Sequence, residues 1–121
     1  MNKSYFDYEP TLVEQEGNVA RINFDVEKGK EQRPVMGSDE TEEVDVIKAC
    51  VVRVAMPLTR SRIIDAIVTA EYPNDVMQAV VNNYLANPED AERKAEFDAM
   101  QAWRTKAKSI ADEVLAASSA E

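Results

Sequence analysis

The sequence predicts an α+β fold: an N-terminal antiparallel sheet of three to four strands, followed by two short helices and one long C-terminal helix packed on one face. Three observations carry this. Ala20, Ile22, Phe24 and Val26 alternate with Arg21, Asn23 and Asp25. A nearly unbroken apolar run fills residues 44–56. After Leu58 the apolar residues step by three and four, and glycine disappears. The 121 residues, 45% of them apolar, suffice for one core, so residues 1–121 read as a single domain. Within it, 1–57 form a β-rich half, 58–117 a helical half and 118–121 a frayed tail. A helical bundle with the sheet merely appended is the alternative, because nothing in the sequence joins the halves.

Residues 12–27 read as a β-hairpin, with Gly17-Asn18 as the turn after Leu12-Val13. Residues 28–43 are polar and contain Gly29, Pro34 and Gly37, which predicts a long loop with room for an edge strand at 33–36. Residues 44–56 are apolar on both faces, the mark of the most buried strand, which Pro57 ends. Thr59 is the expected N-cap of a helix with the face Ile63, Ile64, Ile67, Val68 and Tyr72. Pro73-Asn74 restarts a second helix with Val76, Met77, Val80, Val81, Tyr84 and Leu85 on its apolar face. Asn87-Pro88-Glu89-Asp90 reads as the start of the long helix: Asn87 as cap, proline at the first helical position, then acids against the positive dipole end. A helix from there to residue 117 would span about 43 Å, longer than a domain of this size is wide.

Charge and composition remove many functions. There are 14 Lys+Arg against 23 Asp+Glu, a formal charge of −9 with no histidine. The cationic clusters that bind nucleic-acid phosphates are missing, and so are the usual general base and the usual metal ligand. No P-loop, GxGxxG, GxSxG or HExxH motif occurs, and the only glycines are Gly17, Gly29 and Gly37. The acid-rich run Asp39, Glu40, Glu42, Glu43 and Asp45 lacks the ligand spacing of a calcium loop and reads as a solvated charged loop. Cys50, within an apolar strand, reads as a small core hydrophobe. No segment is long and apolar enough to span a membrane, and residues 1–10 lack a secretory layout. The expectation is therefore a cytoplasmic non-enzyme with no cofactor and no metal, binding neither nucleic acid nor membrane.

Two groups of residues could make contacts. Arg60 and Arg62 fall in the first turn of the first short helix, where the dipole disfavours cations, so something must compensate. An anion or a partner's carboxylate would do so, as would the chain's own surplus acids such as Asp65 or the 39–45 run. Met100, Trp103, Ala107, Ile110, Val114 and Ala117 form an a/d seam that would pair helices in a homodimer. It lasts only about two and a half heptads, short of the three to four a coiled coil needs, so core packing against the sheet is favoured. Trp103, Tyr84, Phe97 and Met100 likewise read as core rather than as an aromatic binding box.

The helical half also carries short motifs. Arg60-Ser61-Arg62-Ile63, Asn83-Tyr84-Leu85 and Gln101-Ala102-Trp103-Arg104 recur in that order between residues 57 and 114, nearly half the chain. This arrangement resembles a family of small uncharacterised prophage proteins, which pair a variable β N-terminus with three such helices. Over the Trp-Arg helix it is similar to the C-terminal helical parts of tail-fibre assembly proteins. The resemblance implies a phage or prophage setting and other phage or prophage proteins as partners, and it implies no binding residue. The expected function is a non-enzymatic structural or tail-assembly accessory protein acting through protein–protein contacts, cytoplasmic or virion-associated. The alternative is an acidic protein that imitates nucleic acid and inhibits a host DNA-handling or defence enzyme. Against the alternative, the charge is spread evenly, net −5 over residues 1–57 and −4 over 58–121.

Overall fold

Gly17, at φ +63° and first of the two central residues, closes a two-residue hairpin between β2 (Val13–Glu16) and β3 (Val19–Pro34). β3 returns through residues 35–40 to β4 (Thr41–Ala55), and a short first strand, β1 (Ser4–Phe6), lies on the far edge of β4. All pairings are antiparallel and the order is β1-β4-β3-β2, a Greek-key arrangement. The molecule was analysed as a computed structural model that describes residues 1–119.

Three helices follow: α1 (Arg60–Glu71), α2 (Asn74–Ala86) and α3 (Ala91–Ser119). Ile22 and Phe24 of β3 and Cys50, Val52 and Val54 of β4 meet Ile63, Ile67 and Val68 of α1 and Ala107, Ile110, Ala111 and Val114 of α3. Sheet and helices thus share one core, which sets aside the appended-sheet alternative. Trp103 of α3 completes it, its ring 6.0 Å from that of Phe24 and its Nε1 donating to the Ile67 carbonyl at 3.0 Å.

The 29 residues of α3 span about 43 Å, and the helix serves two neighbours. Its C-terminal part covers the sheet and α1, whereas residues 91–99 contain no buried side chain and meet α2, where Tyr84 stacks on Phe97 at 4.4 Å. The a/d residues follow the favoured core reading and not the helix-pairing one: Met100, Ala107, Ile110 and Val114 are buried in the chain's own core and Trp103 packs on Phe24, leaving Ala117 exposed at the end of the row. Of the expected tail, residues 118 and 119 continue α3, and residues 120–121 lie outside the described residues.

The expected 28–43 loop is instead a β-ribbon. Residues 27–34 of β3 pair with residues 41–48 of β4, and only 35–40 turn, with Gly37 at φ +81°. Strand periodicity is absent from this stretch because nearly all of it is solvated and no apolar face is required. The acids Glu42, Glu43 and Asp45 therefore lie on a strand, with Lys30 bridging Glu43 at 3.2 Å. A bulge separates the ribbon from the core: Asp25 and Val26 together oppose the single residue between Cys50 and Lys48, with Asp25 at φ +53°. One extra residue reverses the inward parity of β3, so Val26, expected in the core, is 41% exposed. The Lys106 ammonium pairs with Asp25 and lies over the Trp103 ring, tying α3 to the bulge.

Thr59 caps α1 as expected, accepting from the Arg62 N–H at 3.2 Å. The cap of α3 is Asp90 rather than Asn87: its Oδ1 accepts from the Glu92 and Arg93 N–H groups at 2.9 and 3.2 Å, while Asn87 closes a preceding turn by accepting from the Asp90 N–H. Asp90→Ala is expected to lower stability by about 1 kcal/mol, with Asn87→Ala nearly neutral. Urea unfolding of both variants checks this, and equal losses would reassign the cap.

Candidate functional site

α1 and α3 are occupied by the core, but α2 is not. None of its residues is buried, and of its expected apolar face Val76 is 40% and Leu85 67% exposed. It is short and contacts only one other element extensively, α3. Where α2 leans away from α1, an open groove of about 750 Å³ remains. Ile64, Val68 and Met77 give it apolar walls, Arg60 and Arg104 border it, and Ser61 and Asp65 complete the lining.

The two arginines of the first turn part company. Arg60 reaches α3, its Nε 2.9 Å from the Asp112 carboxylate. Arg62 turns back to the end of β4, its Nη1 3.4 Å from the carbonyl oxygens of both Ala55 and Pro57. Each is thus compensated against the helix dipole from inside the chain, by a carboxylate in one case and by carbonyls in the other, and the pair does not converge on one anion. Asp112, not Asp65 or the 39–45 run, is the acid that answers Arg60.

Arg104 was not a candidate from the sequence, although the signal was there. Its neighbours at three and four residues are Met100, Gln101, Ala107 and Lys108, none of them acidic. Among the described residues neither Arg104 nor Lys108 makes an ion pair, in a chain with 23 acids. The groove therefore combines apolar walls with one cation outside any ion pair, Arg104, beside Arg60, which Asp112 already answers, and Asp65 is the acid at its wall.

A second polar cluster lies on the sheet face away from the helices. Residues 7–10 reach it, while Leu12 packs against the core; Pro10 is buried, and the Tyr8 hydroxyl sits 2.8 Å from Glu14 and 2.6 Å from Arg21. Arg21 also bridges Glu16 at 2.7 Å and lies over the Phe6 ring. Buried Asn23 donates to the Thr11 carbonyl at 2.9 Å and to Glu14 at 2.6 Å. Burial alone would raise the Glu14 carboxyl, but the bonds from Tyr8 and Arg21, the Arg21 charge and Asn23 outweigh it and hold the group below its ordinary value. The Glu14 bond raises Tyr8. This is a clasp for the β1–β2 connection, in which the Tyr8 hydroxyl, the Arg21 Nη groups and the Asn23 amide nitrogen are engaged while the buried Arg21 Nε and Asn23 Oδ1 are not.

Near the ribbon base, Lys3 lowers Glu27 by its hydrogen bond, and Tyr5 and then Lys48 lower Glu31. Glu14, Glu27 and Glu31 therefore each hold a proton less readily folded than unfolded. Their contribution is fully present above the unfolded value of about 4.5 and is lost as pH falls through the folded values. The melting temperature is expected to be flat from neutral pH to about 5 on account of these groups and to fall below about 4.5. Circular-dichroism melts across that range check it, and a rise on acidification would contradict it.

Cys50 is buried, and burial first of all, then Asp25, pushes its thiol up, away from reactivity. Among the described residues no three acidic or thiol side chains gather where they could hold a metal ion, and no helix is long and apolar enough to cross a membrane. Comparison with protein-family models, curated proteins and solved structures finds no match to this chain.

Proposed function

We propose that the chain is a non-enzymatic structural or tail-assembly accessory protein of a phage or prophage, acting through protein–protein contacts. The observation that carries this reading is the α1–α2–α3 groove with the half-open apolar face of α2. An apolar recess bordered by guanidinium groups suits a protein anchor, since a few side chains seated in desolvated pockets, arginine prominent among them, carry most contact energy. The phage setting rests on the resemblance of residues 57–114. The partners are other phage or prophage proteins, met in the host cytoplasm or on the particle.

The test is deletion of the gene from the phage or prophage that carries it, with electron microscopy of the lysate. Incomplete or malformed particles are expected, restored by the wild-type chain and not by a chain carrying Met77→Glu and Arg104→Glu in the groove, neither of which is a core position. Normal particles whose infectivity drops only in hosts with an active nuclease would instead favour the nucleic-acid-imitating inhibitor.

A further inference from the structure

The ribbon of β3 and β4 beyond the bulge is a costly thing to leave bare. Beyond β1, which pairs with residues 47–49, residues 29–34 and 41–46 form a two-stranded arm of about 20 Å, and a lone two-stranded ribbon is marginal in water. Its edges carry Lys30 and Glu31 among other charges, which discourages pairing with another strand. The tip is different in character. Met36 is 98% exposed, beside Val35, and among the described residues Asp39, Glu40 and Glu42 make no ion pair. An apolar point ringed by free carboxylates complements an apolar groove at whose border Arg104 stands outside any ion pair.

We propose that the hairpin tip of one copy docks into the α1–α2–α3 groove of a second copy, Met36 against Ile64, Val68 and Met77, with the tip acids facing Arg104 and Lys108. Lys108 stands one helical turn from Arg104 on the same side of α3, outside the groove lining but within reach of a tip seated in it. Tip and groove are different surfaces, so the contact is heterologous. Each docked copy still presents a free tip or a free groove, and copies add head to tail into a ring or a filament. The proposal rests on the contact-protein reading above and gives its groove an occupant.

The test uses three purified full-length chains: wild type, Met36→Asp and Arg104→Glu. Both substitutions fall on exposed side chains, so the fold is retained, and circular dichroism verifies it. In sedimentation velocity over a rising concentration series, wild type is expected to form species of twice, three times and more the chain mass, and each variant to stay monomeric. A mixture of the two variants is expected to stop at twice the chain mass, because only the intact groove of Met36→Asp and the intact tip of Arg104→Glu can meet. Wild type that stays monomeric throughout, variants that assemble like wild type, or a mixture that stays monomeric would overturn the docking. The deletion phenotype is read separately, so a monomeric wild type with malformed particles on deletion would remove this inference and leave the assembly role standing.

Discussion

Ile67→Ala is expected to lower stability by about 2–5 kcal/mol, the range for removing a large aliphatic side chain from a core that cannot collapse around the gap. Ile67 is fully buried where α1 meets the sheet and α3, and its carbonyl holds the Trp103 indole at 3.0 Å. A cavity there loosens the seat of the tryptophan as well as the α1 packing. The informative control is Leu85→Ala on α2, which is equally apolar in sequence but 67% exposed and should change stability by no more than about 0.5 kcal/mol. Urea denaturation followed by Trp103 fluorescence measures both. Equal effects at the two positions would mean that α2 is packed more tightly than described and that the groove is closed.

Asn23→Asp carries a comparable penalty by a different route. The amide of Asn23 donates to the Thr11 carbonyl and to the Glu14 carboxylate, and the residue is buried. An aspartate of the same shape turns both donor contacts into repulsions between oxygens and places a second negative charge beside Glu14. Leaving a buried charge without a partner costs about 3–5 kcal/mol. The loss should also depend on pH in the direction opposite to that of the native acids. The new carboxyl titrates at a higher pH folded than unfolded, so its destabilisation is complete above the folded value and is relieved as pH falls below it. Melting curves of variant and wild type should therefore converge on acidification. A constant gap across the pH range would show that shape, not charge, is what Asn23 supplies.

The elements legible in the sequence were those with one wet and one dry face, or two dry ones. Strand β4 was read from its run of Val46, Ala49, Cys50, Val52 and Val54, and the helices from Ile63, Ile67, Met100, Ala107 and Val114, because burial imposes a period on the residues that undergo it. Residues 28–43 read as a loop because nearly every side chain there is exposed on both faces and leaves no period to detect. β1 escaped because three residues are too few for any pattern. Val26 was misplaced because alternation is blind to a bulge, and Asp25, one of the few residue types that tolerate positive φ, was the only local hint.

The candidate site was half visible. Arg60 was singled out for its unfavourable place in the first turn, and it does border the groove. That one of the chain's own acids answers it was among the readings, but Asp112 was not singled out, since it lies 52 positions away in the chain and no local rule connects the two. Arg104 and Met77 came from other helices, and only the helix–helix geometry brings them to the same recess. Unneutralised cations at three- and four-residue spacing in a strongly acidic chain are a signal that deserved more weight than the seam, whose periodicity belonged to the core.

The measurement that bears most directly on the contact role is affinity capture from a host making phage particles, with wild type and the Met77→Glu, Arg104→Glu chain as parallel baits and mass spectrometry of what each retains. Phage structural or tail-assembly proteins held by wild type through a high-salt wash, and lost with the groove variant, are the expected result. A host nuclease or other DNA-handling enzyme held equally by both baits and released by salt would contradict it, placing the activity in the acidic surface instead of the groove.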